Sequence, residues 1–132
     1  MDISYQNNSE AQTSCHVMAS NLLIKASMKL SNKKDIKIGV FGCGPGNNDL
    51  DAIEKYIVPY LPNSKIEIYM IDIVKTKWLK IKKKSNLKIF GLLKDLYTPI
   101  FENKFLDLVL SFSCLHWFDY LPENYLFENK YC

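Results

Sequence analysis

D-I-K-I-G-V-F-G-C-G-P-G-N-N-D, running from Asp35 to Asp49, decides the fold. Ile36, Ile38, Val40 and Phe41 form a short apolar run, the composition of a buried strand. Glycines follow at every second position, Gly42, Gly44 and Gly46, and then a segment able to start a helix. A strand, a glycine turn and a helix N-terminus in that order open a nucleotide-binding α/β unit. The turn lets backbone approach a ligand where a Cβ would clash, and the helix start offers N–H groups to a carboxylate or phosphate. The bland alternative is a tight turn between two elements.

Working outward, Ser9 and Gln12 make a capping box, S-x-x-Q, ahead of a helix expected over about Glu10–Leu30. Val17, Met18, Leu22, Ile24 and Met28 give that helix an imperfect apolar face. The first strand is expected over Ile36–Phe41, and the next helix from Gly46 or Asn47 to about Val58, ended by Pro59 and Pro62. Asp49, Asp51 and Glu54 stand in its first turns, where acids favour the helix dipole. A second strand is expected over Lys65–Ile71, a third over Leu87–Phe90 and a fourth, the most apolar, over Phe105–Phe112. A solvated helix is expected between the second and third strands. Right-handed crossovers then predict the strand order 3-2-1-4: a Rossmann-like α/β fold, half of a doubly wound parallel sheet, with residues 1–132 as one incomplete domain.

Composition narrows the function classes. Of 132 residues, 48% are hydrophobic and 23% charged, as in a soluble globular protein. The net charge of +3 comes from lysine alone, and the absence of arginine weakens any case for bidentate phosphate or guanine reading. Seven lysines between Lys75 and Lys88 read as a solvated face, with a nucleic-acid patch as the sharper alternative. No apolar run approaches a membrane span. Cys15, Cys43, Cys114 and Cys132 show no C-x-x-C pairing, and the N-terminus is polar, so reduced thiols in a cytoplasmic protein are expected.

The glycine spacing departs from the dinucleotide pattern G-x-G-x-x-G, since Asn47 holds the sixth position, and this disfavours a dehydrogenase. G-x-G-x-G instead resembles motif I of class I S-adenosylmethionine (SAM) dependent methyltransferases. Three further segments extend the resemblance. Asp72 ends I-Y-M-I-D, where the class I enzymes place an acid on both ribose hydroxyls of SAM; a carboxylate offers two acceptors to two neighbouring O–H donors. S-Y-Q-N-N-S-E-A-Q, Ser4 to Gln12, is similar to the N-terminal signature of the SABATH carboxyl methyltransferases. S-F-S-C-L-H-W-F, Ser111 to Phe118, resembles both the S-L-H-W segment of that family and the equivalent segment of juvenile hormone acid methyltransferases.

The resemblance implies a set of site residues. Tyr5, Gly42, Gly44, Gly46, Asp72, Ile73, Asp95, Leu96 and Ser111 would hold SAM. Gln12, His116 and Trp117 would hold the substrate, a small carboxylic acid, with Gln12 and Trp117 as neutral side-chain donors. Each has a structural alternative: a helix cap for Asp72, the capping box for Gln12, and core packing for His116 and Trp117. Cys43 and Cys114 read as small core fillers. Motif I departs from the SABATH pattern at Val40, Gly44 and Pro45, which brings it nearer to the broad class I set. The resemblance covers the N-terminal half or less of a complete enzyme, so a fragment, a truncated product or part of an assembly is expected.

The expected activity is carboxyl O-methylation, with no catalytic side chain, no metal, no nucleic acid and no membrane. An amine or phenol acceptor, or a non-catalytic SAM-binding remnant or partner subunit, are the alternatives. The edge of the fourth strand is expected to promote homo-oligomers.

Overall fold

The computed structural model describes residues 10–43, 46–73, 87–96 and 98–112, with the side chains of the first helix from Cys15 onward. The elements run α1 (Glu10–Leu30), β1 (Asp35–Phe41), α2 (Asn47–Tyr56), a 3-10 turn (Val58–Tyr60), β2 (Lys65–Asp72), β3 (Leu87–Leu93) and β4 (Leu108–Leu110). The four strands form one sheet of order β3-β2-β1-β4. Every neighbouring pair is parallel, as the order predicted from sequence requires. The lysine-rich segment between β2 and β3 lies largely outside the described residues.

Alternation along the strands builds two different faces. Ile36, Ile38 and Val40 of β1 lie in register with Ile66, Ile68 and Met70 of β2, and all six are buried. With Leu87 and Leu110 they meet Leu23 of α1 and Leu50, Ala52, Ile53, Ile57 and Leu61 of the α2 region in one core. Each such aliphatic side chain contributes about 1.5–3 kcal/mol by leaving water. The opposite face is aromatic. Tyr69 stacks on Phe90 at 5.0 Å between ring centroids and meets Phe101 and Phe105 edge-on, each at 5.4 Å.

Three elements differ from the sequence expectation by more than one residue at a boundary. β4 pairs with β1 only over Leu108–Leu110, although the apolar run begins at Phe105. Phe105 belongs to the aromatic cluster, stacked on Phe101 at 5.1 Å, so its apolar character reflects packing before the ladder begins. β3 extends beyond Phe90 to Leu93. α2 stops at Tyr56, and Pro59, which cannot continue a helix, sits in the 3-10 turn that follows.

The apolar face expected for α1 is not the face it buries. Val17, Met18, Leu22 and Met28 are all more than half exposed. Among its described side chains His16, Leu23 and Ser27 are buried, and Ile24 of the expected face is half-buried. The Ser27 hydroxyl donates to the Leu23 carbonyl at 2.7 Å, which satisfies it inside the interface. The buried side of the helix thus combines a core leucine with a polar residue, His16.

Candidate functional site

The C-terminal ends of β1, β2 and β4 converge on the glycine turn. The amides of Gly42 and Cys43 both donate to the Ile71 carbonyl, at 2.8 and 3.3 Å, so the turn stays attached to β2 one residue before Asp72. Gly42 and Gly46 have φ angles of 68° and 83°, in the left-handed region that a side chain disfavours. Gly46 is the N-cap of α2; its amide donates to the Cys43 carbonyl, and its own carbonyl accepts from Leu50, each at 3.0 Å. Cys43 itself is buried in the core, as a small filler should be.

Asp72 closes β2 and is buried. Its carbonyl accepts from the Lys94 amide at 3.0 Å, which brings the end of β3 beside it. Exposed Asp95 and half-buried Leu96 follow directly on this rim. Ile73 is 66% exposed, and half-buried Ser111 follows the end of β4. The fold therefore brings Gly42, Gly46, Asp72, Ile73, Asp95, Leu96 and Ser111 to one edge of the sheet. Tyr5, Gly44, His116 and Trp117 lie outside the described residues, as does the side chain of Gln12, whose backbone belongs to the first turn of α1.

Sequence reasoning missed a buried pair at this edge. His16 Nε2 lies 2.6 Å from Asp49 Oδ1, linking α1 to the first turn of α2. The His16 ring also packs on Phe112, just beyond β4, with centroids 4.0 Å apart. Burial pushes the Asp49 carboxyl above its ordinary range; the hydrogen bond and charge of His16 oppose this, and the charge of Asp72 adds to it. Asp49 stands in the first turn of α2, as expected of an acid favouring the helix dipole, and it is buried there. Its partner stands 33 residues away, beyond the reach of any local spacing rule.

Asp72 contributes a buried carboxylate to this edge, and Gly42 and Gly46 add no side chain to it. Among the described residues no group of His, Cys, Asp and Glu side chains is arranged to hold a metal ion. Among them also, no helix is long and apolar enough to cross a membrane.

No family model matches the chain. Among curated proteins it is similar to gibberellic acid methyltransferase 2 of Arabidopsis thaliana, 27% identical over 148 aligned positions. That alignment takes in 95% of this chain but only 38% of the relative. Among solved structures it resembles MNMC2 from Aquifex aeolicus, with a TM-score of 0.52 and 21% identity over 75% of this chain and 41% of that one. The chain thus spans well under half the length of either protein. The structural likeness is one of fold, a Rossmann-like parallel sheet with helices packed on it.

Proposed function

We propose that this chain carries the cofactor-binding part of a SAM-dependent methyltransferase whose acceptor is a small carboxylic acid. The observation that carries the reading is the buried Asp72 carboxylate, one strand across from a left-handed glycine turn bonded to the residue before it. The similarity to a plant methyltransferase named for an acid supports it. So do the SABATH-like segments at Ser4–Gln12 and Ser111–Phe118.

When bound, SAM supplies a methyl group already activated on a sulfonium. Asp72 would accept from the ribose hydroxyls, and the Gly42–Gly46 turn would hold the amino-acid end. Gln12 and Trp117 orient the acceptor carboxylate as neutral donors, which leaves its charge intact. A carboxylic acid is ionised at neutral pH, so the chain needs no general base. Positioning is its main contribution.

Calorimetry with SAM and with NAD tests the cofactor, and a radiolabelled methyl-transfer assay over small acids, amines and phenols tests the acceptor. Tight NAD binding without SAM binding would overturn the reading. Transfer to amines or phenols alone would move the acceptor class, and SAM binding without transfer to any of them would leave a binding role.

A further inference from the structure

The interface between α1 and α2 is held by a buried polar pair that the binding scheme above leaves unused. His16 and Asp49 are each under one-tenth exposed. Two amphipathic helices normally meet through apolar side chains. Here α1 turns Val17, Met18 and Leu22 outward and places an imidazole inward. The cost of burying these groups is offset only by their mutual hydrogen bond and the remaining contacts of the site. The pair also sits where movement would matter. Asp49 lies in the turn of α2 that Gly46 opens, and Phe112 beyond β4 packs on the imidazole.

We propose that His16 is a positioning residue for the cofactor site: by donating from Nε2 to the Asp49 carboxylate it fixes α1 on the first turn of α2 and so fixes the glycine turn relative to Asp72. This role rests on the SAM-binding reading given above. It couples two parts of the site, because Gln12 lies one turn before His16 on the same helix. A shift of α1 would move the expected acceptor residue and the cofactor turn together.

The coupling is pH-dependent. With the imidazole protonated, the buried pair is electrically neutral; once the imidazole loses that proton, an uncompensated carboxylate remains near Asp72. The charged and titratable groups around His16 are Asp49, Asp51, Lys55 and Tyr56 on α2 and Asp72 at the end of β2, reached through Asp49. Lys55 lines the cleft between the helices, beside Asp51. From β4 the facing group is the uncharged Phe112.

The test uses the full chain and three forms: parent, His16→Ala and His16→Gln. The glutamine keeps an N–H donor and does not titrate. SAM affinity is measured by calorimetry from about pH 5.5 to about pH 8.5, across the ordinary imidazole range. Hydrogen exchange is followed in α1, α2, β1 and β2. His16→Ala is expected to lose about ten-fold or more in SAM affinity, with exchange accelerated more in α1 than in β1 and β2. His16→Gln, a donor without a balancing charge, is expected to recover part of the affinity and to flatten the pH profile seen in the parent. A folded His16→Ala with parental affinity overturns the role, as does a His16→Gln profile that follows the parent's. If His16→Ala does not fold, the pH comparison between the parent and His16→Gln decides. Failure of the parent to bind SAM overturns the functional reading and this role together, whereas parental binding indifferent to His16 overturns this role alone.

Discussion

The amide of Gly42 donates to the carbonyl of Ile71 at 2.8 Å, so the glycine turn is suspended from the residue that precedes Asp72. The start of the turn and the carboxylate thus share one backbone attachment, while the Gly46 end of the turn is carried by α2. Asp72→Ala is expected to weaken SAM binding by about 1.5–3 kcal/mol, the range for hydrogen bonds to a charged group. Thermal melting should show the fold retained. Unchanged affinity in calorimetry on the folded variant would contradict the ribose role.

Removing the partner of Asp49 should be costly for stability as well. His16→Ala leaves a buried carboxylate uncompensated, and a loss of about 3–5 kcal/mol is expected at neutral pH. The Asp49 carboxyl is already raised by burial against the pull of His16, so in the variant it rises further. An acid raised in the folded state weakens the fold as pH climbs from the unfolded value of 3.8 towards the folded one. The deficit should therefore be smallest near the unfolded value of 3.8 and grow as pH rises above it. Urea unfolding in acid and at neutral pH measures this, and a deficit that does not change with pH would argue against it.

Asp107 fastens the start of β1 to the residues leading into β4. Its carboxylate accepts from the Lys37 amide at 2.9 Å and pairs with Lys33, while its own amide donates to the Lys37 carbonyl at 2.8 Å. Burial disfavours the charge, but the hydrogen bonds from Lys33 and the Lys37 amide, with the charges of both lysines, outweigh it and hold the carboxyl below 3.8. A depressed acid contributes stability above its unfolded value and loses it as pH falls through the folded one. Asp107→Asn should destabilise the chain at neutral pH and converge on the parent in acid. Because the Lys33 side chain is 54% exposed, added salt should shrink its share of the effect.

On the aromatic face, the Tyr69 hydroxyl donates to Glu67 at 2.8 Å, and burial together with that bond and the Glu67 charge pushes the phenol up to about 12. Tyr69→Phe keeps the ring contacts and should cost under about 1 kcal/mol. Tyr69→Ala removes the centre of the cluster and should cost about 2–4 kcal/mol. Denaturant titration of the two variants separates ring packing from the hydroxyl; equal losses would contradict this division.

Val109 is 56% exposed on β4. Among the described residues β4 pairs with β1 alone. An apolar strand edge invites pairing with another chain. The chain is expected to sediment with concentration-dependent mass, and Val109→Lys to reduce that dependence. A clean monomer at all concentrations would contradict it.

The parallel sheet was legible because its signals are local. Ile36, Ile38 and Val40 precede a glycine turn, and Ile66, Ile68 and Met70 repeat the same alternation before Asp72. The site edge followed, since topology alone brings the ends of β1, β2 and β4 together. The rotation of α1 was not legible. Periodicity points to Val17, Met18 and Leu22, but the buried side carries His16, whose hydrogen-bond partner Asp49 is remote in the chain. The start of β4 was misread for a related reason: Phe105 and Leu106 satisfy the pattern of a strand while serving the opposite sheet face. In particular, a Cβ on Gly39 would come within 2.6 Å of Leu106, so a bare position of β1 accommodates that side chain.

The pairing of β4 with β1, rather than with β3, has a consequence for how the sheet assembles in time. Ile38 finds Ile68 across the short α2 crossover, but meets Leu108 only after β3 has been synthesised. The second closure spans more than twice the chain of the first, which adds only about 0.6–0.8 kcal/mol of loop entropy. Delay, not energy, separates the two events. β1, α2 and β2 can condense on the growing polypeptide while one flank of β1 waits, and the reciprocal bonds between Asp107 and Lys37 then act as the latch that ends the waiting. Mutations at that latch should speed unfolding far more than they slow folding.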